Sequence, residues 1–138
     1  MTAAELIAQA AKRLSDAGVP EPELDAKILF LEAFHMDQVH FLMNRMRPLT
    51  EEQRTQQETY EAMIDRRSAR VPLQQILGSQ EFMGLTFRVT PDVLIPRQDT
   101  ETLVEQVLQE QKDPDIRLLD LCTGSGCIAI SLAVMGGY

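Results

Sequence analysis

Apolar residues in the first half of the chain recur every three or four positions, the spacing of one helix face. Ala3, Leu6, Ile7, Ala10, Ala11 and Leu14 make one such stripe. The Thr2/Glu5 capping-box pair opens it, and Gly18 sits where a left-handed residue stops a helix. Pro22 suits the first turn of a second helix. Its Leu24, Ile28, Leu29, Phe30, Leu31 and Phe34 spread almost all round and make it the most buried of the set. Asp37 caps a short third helix carrying Phe41, Leu42 and Met46, which ends by Pro48. Thr50 and Gln53 form another capping box. It opens a more polar helix with Tyr60, Met63 and Ile64 inward, and with Arg66, Arg67 and Arg70 near its end, where they suit the dipole. Met43, Met46 and Met63, at helical spacing, read as core filling. Residues 1–70 are therefore expected to form a small helical bundle.

The period then changes. Pro72 breaks the last helix, and Gly78 and Gly84 punctuate the next stretch of chain. Leu85, Phe87 and Val89 alternate with Thr86, Arg88 and Thr90, which is strand periodicity. Met83-Gly84 is the expected hairpin turn, with Glu81-Phe82 on the opposing arm. After Ile95-Pro96-Arg97, Asp99 or Thr100 is expected to cap a helix with Leu103, Val104, Val107 and Leu108 inward. Ile116 to Leu121 reads as a buried strand, and Ile128 to Met135 as an almost wholly apolar helix capped by Gly136-Gly137. A crossover helix of that kind normally returns the chain to a second parallel strand. Residues 71–138 thus read as the front end of a larger α/β domain, with apolar faces left uncovered.

The densest chemistry lies between that strand and helix, in Asp120-Leu121-Cys122-Thr123-Gly124-Ser125-Gly126. The glycines remove side chains where a ligand must approach the backbone, and the helix start offers unpaired N–H groups with partial positive charge. Asp120 is an acid at the carboxyl end of a strand, the edge where open α/β sheets bind ligands. A capping role for Asp120 within the turn is compatible with that one. Gly124, Gly126 and Ala129 also satisfy the dinucleotide fingerprint, but most of the chain, residues 1–119, precedes this turn, whereas a dinucleotide fold opens with it.

Composition narrows the classes further. The net charge of −8 divides as −3 over residues 1–70 (nine basic, twelve acidic) and −5 over residues 71–138 (four basic, nine acidic). No basic stripe suggests a nucleic-acid surface, and no apolar run approaches the ~20 residues that span a bilayer. Cys122 and Cys127 lack the spacing of a zinc knuckle or a redox pair, and His35 and His40 have no neighbours at ligand spacing and read as structural. The expectation is a cytoplasmic protein with free thiols and no metal.

Three segments in order carry a resemblance: Val71-Pro72-Leu73-Gln74-Gln75-Ile76-Leu77-Gly78 running on to Glu81-Phe82-Met83-Gly84-Leu85; Leu94-Ile95-Pro96-Arg97-Gln98-Asp99-Thr100-Glu101; and the Asp120–Gly126 turn. With a helical region ahead of them, the chain resembles the peptide chain release factor N5-glutamine methyltransferases, the HemK/PrmC family. The resemblance implies an α plus α/β architecture: a release-factor-binding helical bundle (1–70), a β-hairpin linker (71–95), and the first part of a class I, Rossmann-like methyltransferase domain (96–138). It implies S-adenosyl-L-methionine as cofactor and methylation of the glutamine side-chain amide in a release factor's Gly-Gly-Gln motif. Asp120, Cys122, Thr123, Gly124, Ser125 and Gly126 would hold the cofactor, with Asp120 near its methionine amino group and with Arg97 and Thr100 beside the pocket. Arg97 alternatively pairs on the surface with Asp99 or Glu101.

Two departures from the family pattern stand out. Cys122 occupies a position usually held by glycine, where a cysteine fits if its φ is negative. The Asn-Pro-Pro-Tyr motif that receives the substrate amide, and the acid that holds the cofactor ribose, are not among these residues. Amide nitrogen is a poor nucleophile and must be aligned with the methyl group. These 138 residues alone are therefore expected to be truncated and inactive. Two other readings remain open: a non-catalytic helical protein-binding module, and a methyltransferase acting on another amide or amine.

Overall fold

The computed structural model describes residues 1–138 and divides into two compact units, Met1–Leu77 and Gly78–Tyr138. The first is helical: α1 (Ala3–Asp16), α2 (Pro22–Ala33), α3 (Gln38–Asn44), α4 (Arg54–Ser68) and α5 (Leu73–Leu77). The capping box forms as expected. The Glu5 amide donates to Thr2 Oγ1 at 3.2 Å, and the Thr2 amide donates to Glu5 Oε2 at 2.9 Å. Gly18 follows α1 at φ +79°. Ala3, Leu6, Ala10, Ala11 and Leu14 are buried, so the sequence stripe is the packed face.

Around it, Phe30 stacks on Phe34 with ring centroids 4.2 Å apart and meets Phe41 and Tyr60 edge-on at 5.9 and 5.5 Å. The Tyr60 hydroxyl donates to the Ala26 carbonyl at 2.9 Å, and burial pushes its pKa above the ordinary tyrosine range. Such edge-to-face contacts each add about 0.5–1.5 kcal/mol to the apolar burial.

Three expectations for this unit are corrected. Helix α2 is not buried all round: Leu24 points to solvent, while Asp25 turns inward because Arg67 Nε donates to its Oδ2 at 2.8 Å. In α3 only Phe41 is buried, whereas Leu42 and Met43 are exposed, and the helix ends at Asn44, before Met46, which is exposed too. A seven-residue helix makes about two turns, so one inward position can seat it. Of the three methionines assigned to core filling, Met43 and Met46 therefore lie outside it, while Met63 packs against it. The Thr50/Gln53 box forms, but it opens a 3₁₀ turn over Glu51–Gln53, and α4 starts at Arg54. Helix α5, past Pro72, also belongs to this unit, and its Ile76 is in the same core.

The second unit holds β1 (Ser79–Phe82), β2 (Leu85–Arg88), α6 (Glu101–Glu110) and α7 (Cys127–Gly136). The strands pair antiparallel with Ser79 opposite Arg88 and Phe82 opposite Leu85. Met83 and Gly84 both have positive φ (+51° and +74°), the two-residue turn whose twist matches a hairpin. Phe82 and Phe87 meet edge-on and join Val104, Cys127 and Leu132 in a second core.

Here too the structure departs from expectation. Neither Asp99 nor Thr100 caps α6 with its side chain; Gln98–Thr100 is a 3₁₀ turn that runs directly into the helix. Leu103 faces solvent. Ile116–Leu121 is neither a strand nor buried, with Leu119 and Leu121 80% and 76% exposed. A central strand exists through its neighbours' hydrogen bonds, and none lies beside this one. The hairpin is the only sheet, so no parallel layer is present.

Candidate functional site

The glycine turn follows that extended segment and is held by its own residues. Thr123 Oγ1 donates to Asp120 Oδ2 at 2.9 Å, and the Gly126 amide donates to the Thr123 carbonyl at 3.0 Å. Cys122, Gly124 and Gly126 all have left-handed φ, at +59°, +59° and +81°. The condition under which a cysteine fits this position, a negative φ, is therefore not met. The turn places a side chain where a Cβ crowds the backbone, at about 1–2 kcal/mol. At Gly124 a Cβ would meet nothing within 4 Å, so the space beside it is open.

Helix α7 starts there without any side-chain cap. Its first intrahelical bond runs from the Ile130 amide to the Gly126 carbonyl at 2.9 Å. The amides of Cys127, Ile128 and Ala129 therefore have no acceptor within the helix, and the dipole adds partial positive charge. A half-exposed carboxylate thus stands a few residues ahead of three free amide donors. An ammonium can be taken by the first and a carboxylate by the second, so the donor set fits the amino-acid portion of a ligand such as S-adenosyl-L-methionine. A cleft of about 280 Å³ in this unit lies at the far end of α7, between Leu108, Gln111, Met135 and Tyr138.

Of the remaining expected residues, Arg97 is exposed and takes part in no ion pair, so neither surface pairing proposed for it forms. Thr100 is half-buried in the 3₁₀ turn. Neither is hydrogen-bonded through its side chain to the Asp120–Gly126 turn. What the sequence reading missed is Glu101, whose Oε1 accepts the Met83 amide at 2.9 Å. This bond ties the hairpin tip to the start of α6, joining two motif segments that were recognised separately. Their shared placement in the resemblance was the available signal. His40 Nδ1 lies 2.8 Å from Asp37 Oδ1, and no cluster of three potential metal ligands is present. No helix is long and apolar enough to cross a membrane.

A family model described as the PrmC N-terminal domain matches residues 5–78, more than half of the chain. The chain belongs to that family. Relatives of this PrmC-family chain extend the match beyond the helical unit. The release factor glutamine methyltransferase of Moorella thermoacetica is 43% identical over 135 residues, covering 96% of this chain and 46% of its own length. That of Geobacter sulfurreducens is 42% identical over 120 residues, covering 87% and 41%. That of Coxiella burnetii is 49% identical over 81 residues, covering 58% and 29%. The Moorella alignment leaves too few residues unmatched to omit the glycine turn. The chain spans about half the length of the curated relatives it matches.

Proposed function

We propose that this chain is the partner-binding and cofactor-turn portion of an S-adenosyl-L-methionine-dependent methyltransferase that modifies the glutamine amide of peptide chain release factors. The observation that carries the reading is the joint match: a PrmC-type helical unit over residues 5–78, followed by a second unit aligned with release factor glutamine methyltransferases. In this reading residues 1–70 bind the release factor, residues 71–95 link, and residues 96–138 open a Rossmann-like domain. Asp120 accepts hydrogen bonds from the cofactor's ammonium. The amides at the start of α7 face its carboxylate, and Cys122–Gly126 lie against its methionine and ribose. Arg97 and Thr100 border the same pocket. Bound S-adenosyl-L-methionine supplies an electrophilic methyl group. The side chains that align the amide nitrogen are not among these residues, and the 138-residue polypeptide transfers no methyl group unaided.

A chimera tests the activity. Residues 1–138 are joined to the remaining portion of the Moorella thermoacetica relative and incubated with labelled cofactor and a release factor. Methyl transfer to the release factor's glutamine, located by peptide mass spectrometry, is the expected result. A chimera that folds and binds cofactor but leaves every release-factor glutamine unmodified refutes the proposal.

A second reading, a protein-binding helical module without chemistry, draws on one observation. The helical unit has a closed core and formed capping boxes, while Leu118, Leu119 and Leu121 lie exposed. Binding of the release factor without methylation by the chimera would favour it.

A further inference from the structure

We propose that the outer face of α3 is the surface by which the helical unit docks a protein partner, and that the partner meets it with apolar side chains set among carboxylates. This rests on the partner-binding reading of the helical unit and names the surface that does the binding. Val39, Leu42, Met43 and Met46 are 63%, 53%, 71% and 70% exposed. Val39, Leu42 and Met43, at i, i+3 and i+4 of α3, share one face that points to solvent, and Met46 is exposed in the turn just past the helix end, while Phe41 alone seats the helix in the core. Single exposed apolar residues are ordinary. A contiguous exposed apolar face is the kind of surface that marks an interaction site. Methionine at two of the positions lets the surface adapt to the side chains it meets.

Charge selects the kind of partner. From Gln38 to Thr50 the only ionisable side chains are His40, Arg45 and Arg47, all exposed, with no carboxylate between Asp37 and Glu51. Neither arginine is ion-paired. This is a basic rim on a chain of net charge −8. It favours an acidic partner surface, and like charge elsewhere on the chain discourages nucleic acid and anionic membrane. A cleft of about 400 Å³ opens on the side of α3 that carries Phe41 and Asn44, lined also by Met36, Arg45, Leu49 and Gln53; Glu52 is its only carboxylate, and none of the four exposed apolar residues is in its wall. It is large enough for an anchoring side chain.

The surface is also set in place before any partner arrives. The Ala4 amide donates to the Arg45 carbonyl and the Leu49 amide to the Met1 carbonyl, each at 2.9 Å. Asn44 Nδ2 donates to the His40 carbonyl at 2.8 Å. Segment Arg45–Leu49 is thereby pinned to the start of α1, and little conformational entropy remains to be lost on docking.

Titration calorimetry of the 138-residue chain with a purified peptide chain release factor tests the proposal. The variants are Leu42→Gln/Met43→Gln and Arg45→Glu/Arg47→Glu, with Glu58→Gln on α4 as control. Each double variant is expected to weaken Kd at least about tenfold, the size expected of central anchors, and the control to stay within about twofold. Wild-type affinity should fall as salt rises, and that dependence should shrink in the arginine variant. Should the apolar variant fail to fold by circular dichroism, the arginine variant decides alone. Folded variants that bind like wild type overturn the surface while leaving the partner reading standing. A wild-type chain that does not bind the release factor refutes the partner reading and the surface together. Binding to phosphatidylserine vesicles that both variants abolish overturns the assignment in favour of a membrane.

Discussion

Arg67→Met is expected to destabilise the helical unit by about 2–3 kcal/mol. Arg67 Nε donates to Asp25 Oδ2 at 2.8 Å, and Nη1 donates to the Val71 carbonyl at 3.1 Å, so one guanidinium joins α2 to the turn after α4. The pair is nearly dry, with side-chain exposures of 14% and 8%. Removing one member of a fully buried pair costs about 3–5 kcal/mol, because the other charge stays buried without a partner. The residual exposure of Arg67 places this case toward the lower end. For a unit of this size the melting temperature should fall by roughly 10–20 °C. Asp25→Leu/Arg67→Met removes both charges and should recover stability to within about 1 kcal/mol of wild type. Urea unfolding can be followed by tyrosine fluorescence in a Tyr138→Phe background. Tyr60 is then the sole tyrosine in a chain without tryptophan and reports the helical core alone. A single variant costing less than about 1 kcal/mol, with an additive double-mutant cycle, would refute the reasoning.

Further outcomes concern the turn, the α3 cap and the uncovered segment. Cys122→Gly should stabilise the second unit by about 0.5–1 kcal/mol by relieving a left-handed Cβ, whereas Cys122→Ala should not. Equal melting temperatures for the two variants would contradict this. The amide of His40, and then its ring, hold the Asp37 carboxyl below its ordinary value of 3.8. A lowered folded-state pKa contributes stability that is present above the unfolded value and lost as pH falls through the folded one. Helix α3 should therefore fray only below about pH 4, read from the amide shifts of His40 and Phe41; fraying that begins near pH 6 would count against it. Amide exchange should be fast over residues 116–122, which lack ladder partners, and slow around Val104 and Leu132. Uniform protection through residues 116–135 would contradict that.

Local patterns that need only neighbouring residues were legible in the sequence. The Thr2/Glu5 box, the left-handed Gly18, the Asp37 cap and the Met83-Gly84 turn each depend on side chains or backbone within four positions. So did the inward stripe of α1, because a 14-residue amphipathic helix has one apolar face to bury. The glycine turn was legible as a ligand-type loop, although the sign of φ at Cys122 was not.

Burial that depends on a distant partner was decided by the tertiary structure. Asp25 is inside because Arg67, 42 residues later, reaches it. Leu42 and Met43 are outside because two turns of α3 offer the core a single seat, which Phe41 takes, and Met46 is outside in the turn beyond the helix. Glu101 became visible only when the hairpin tip came within hydrogen-bond distance. Ile116–Leu121 has the composition of a buried strand, and composition cannot make one. A helix closes its hydrogen bonds within its own segment, whereas a strand borrows every one from a neighbour.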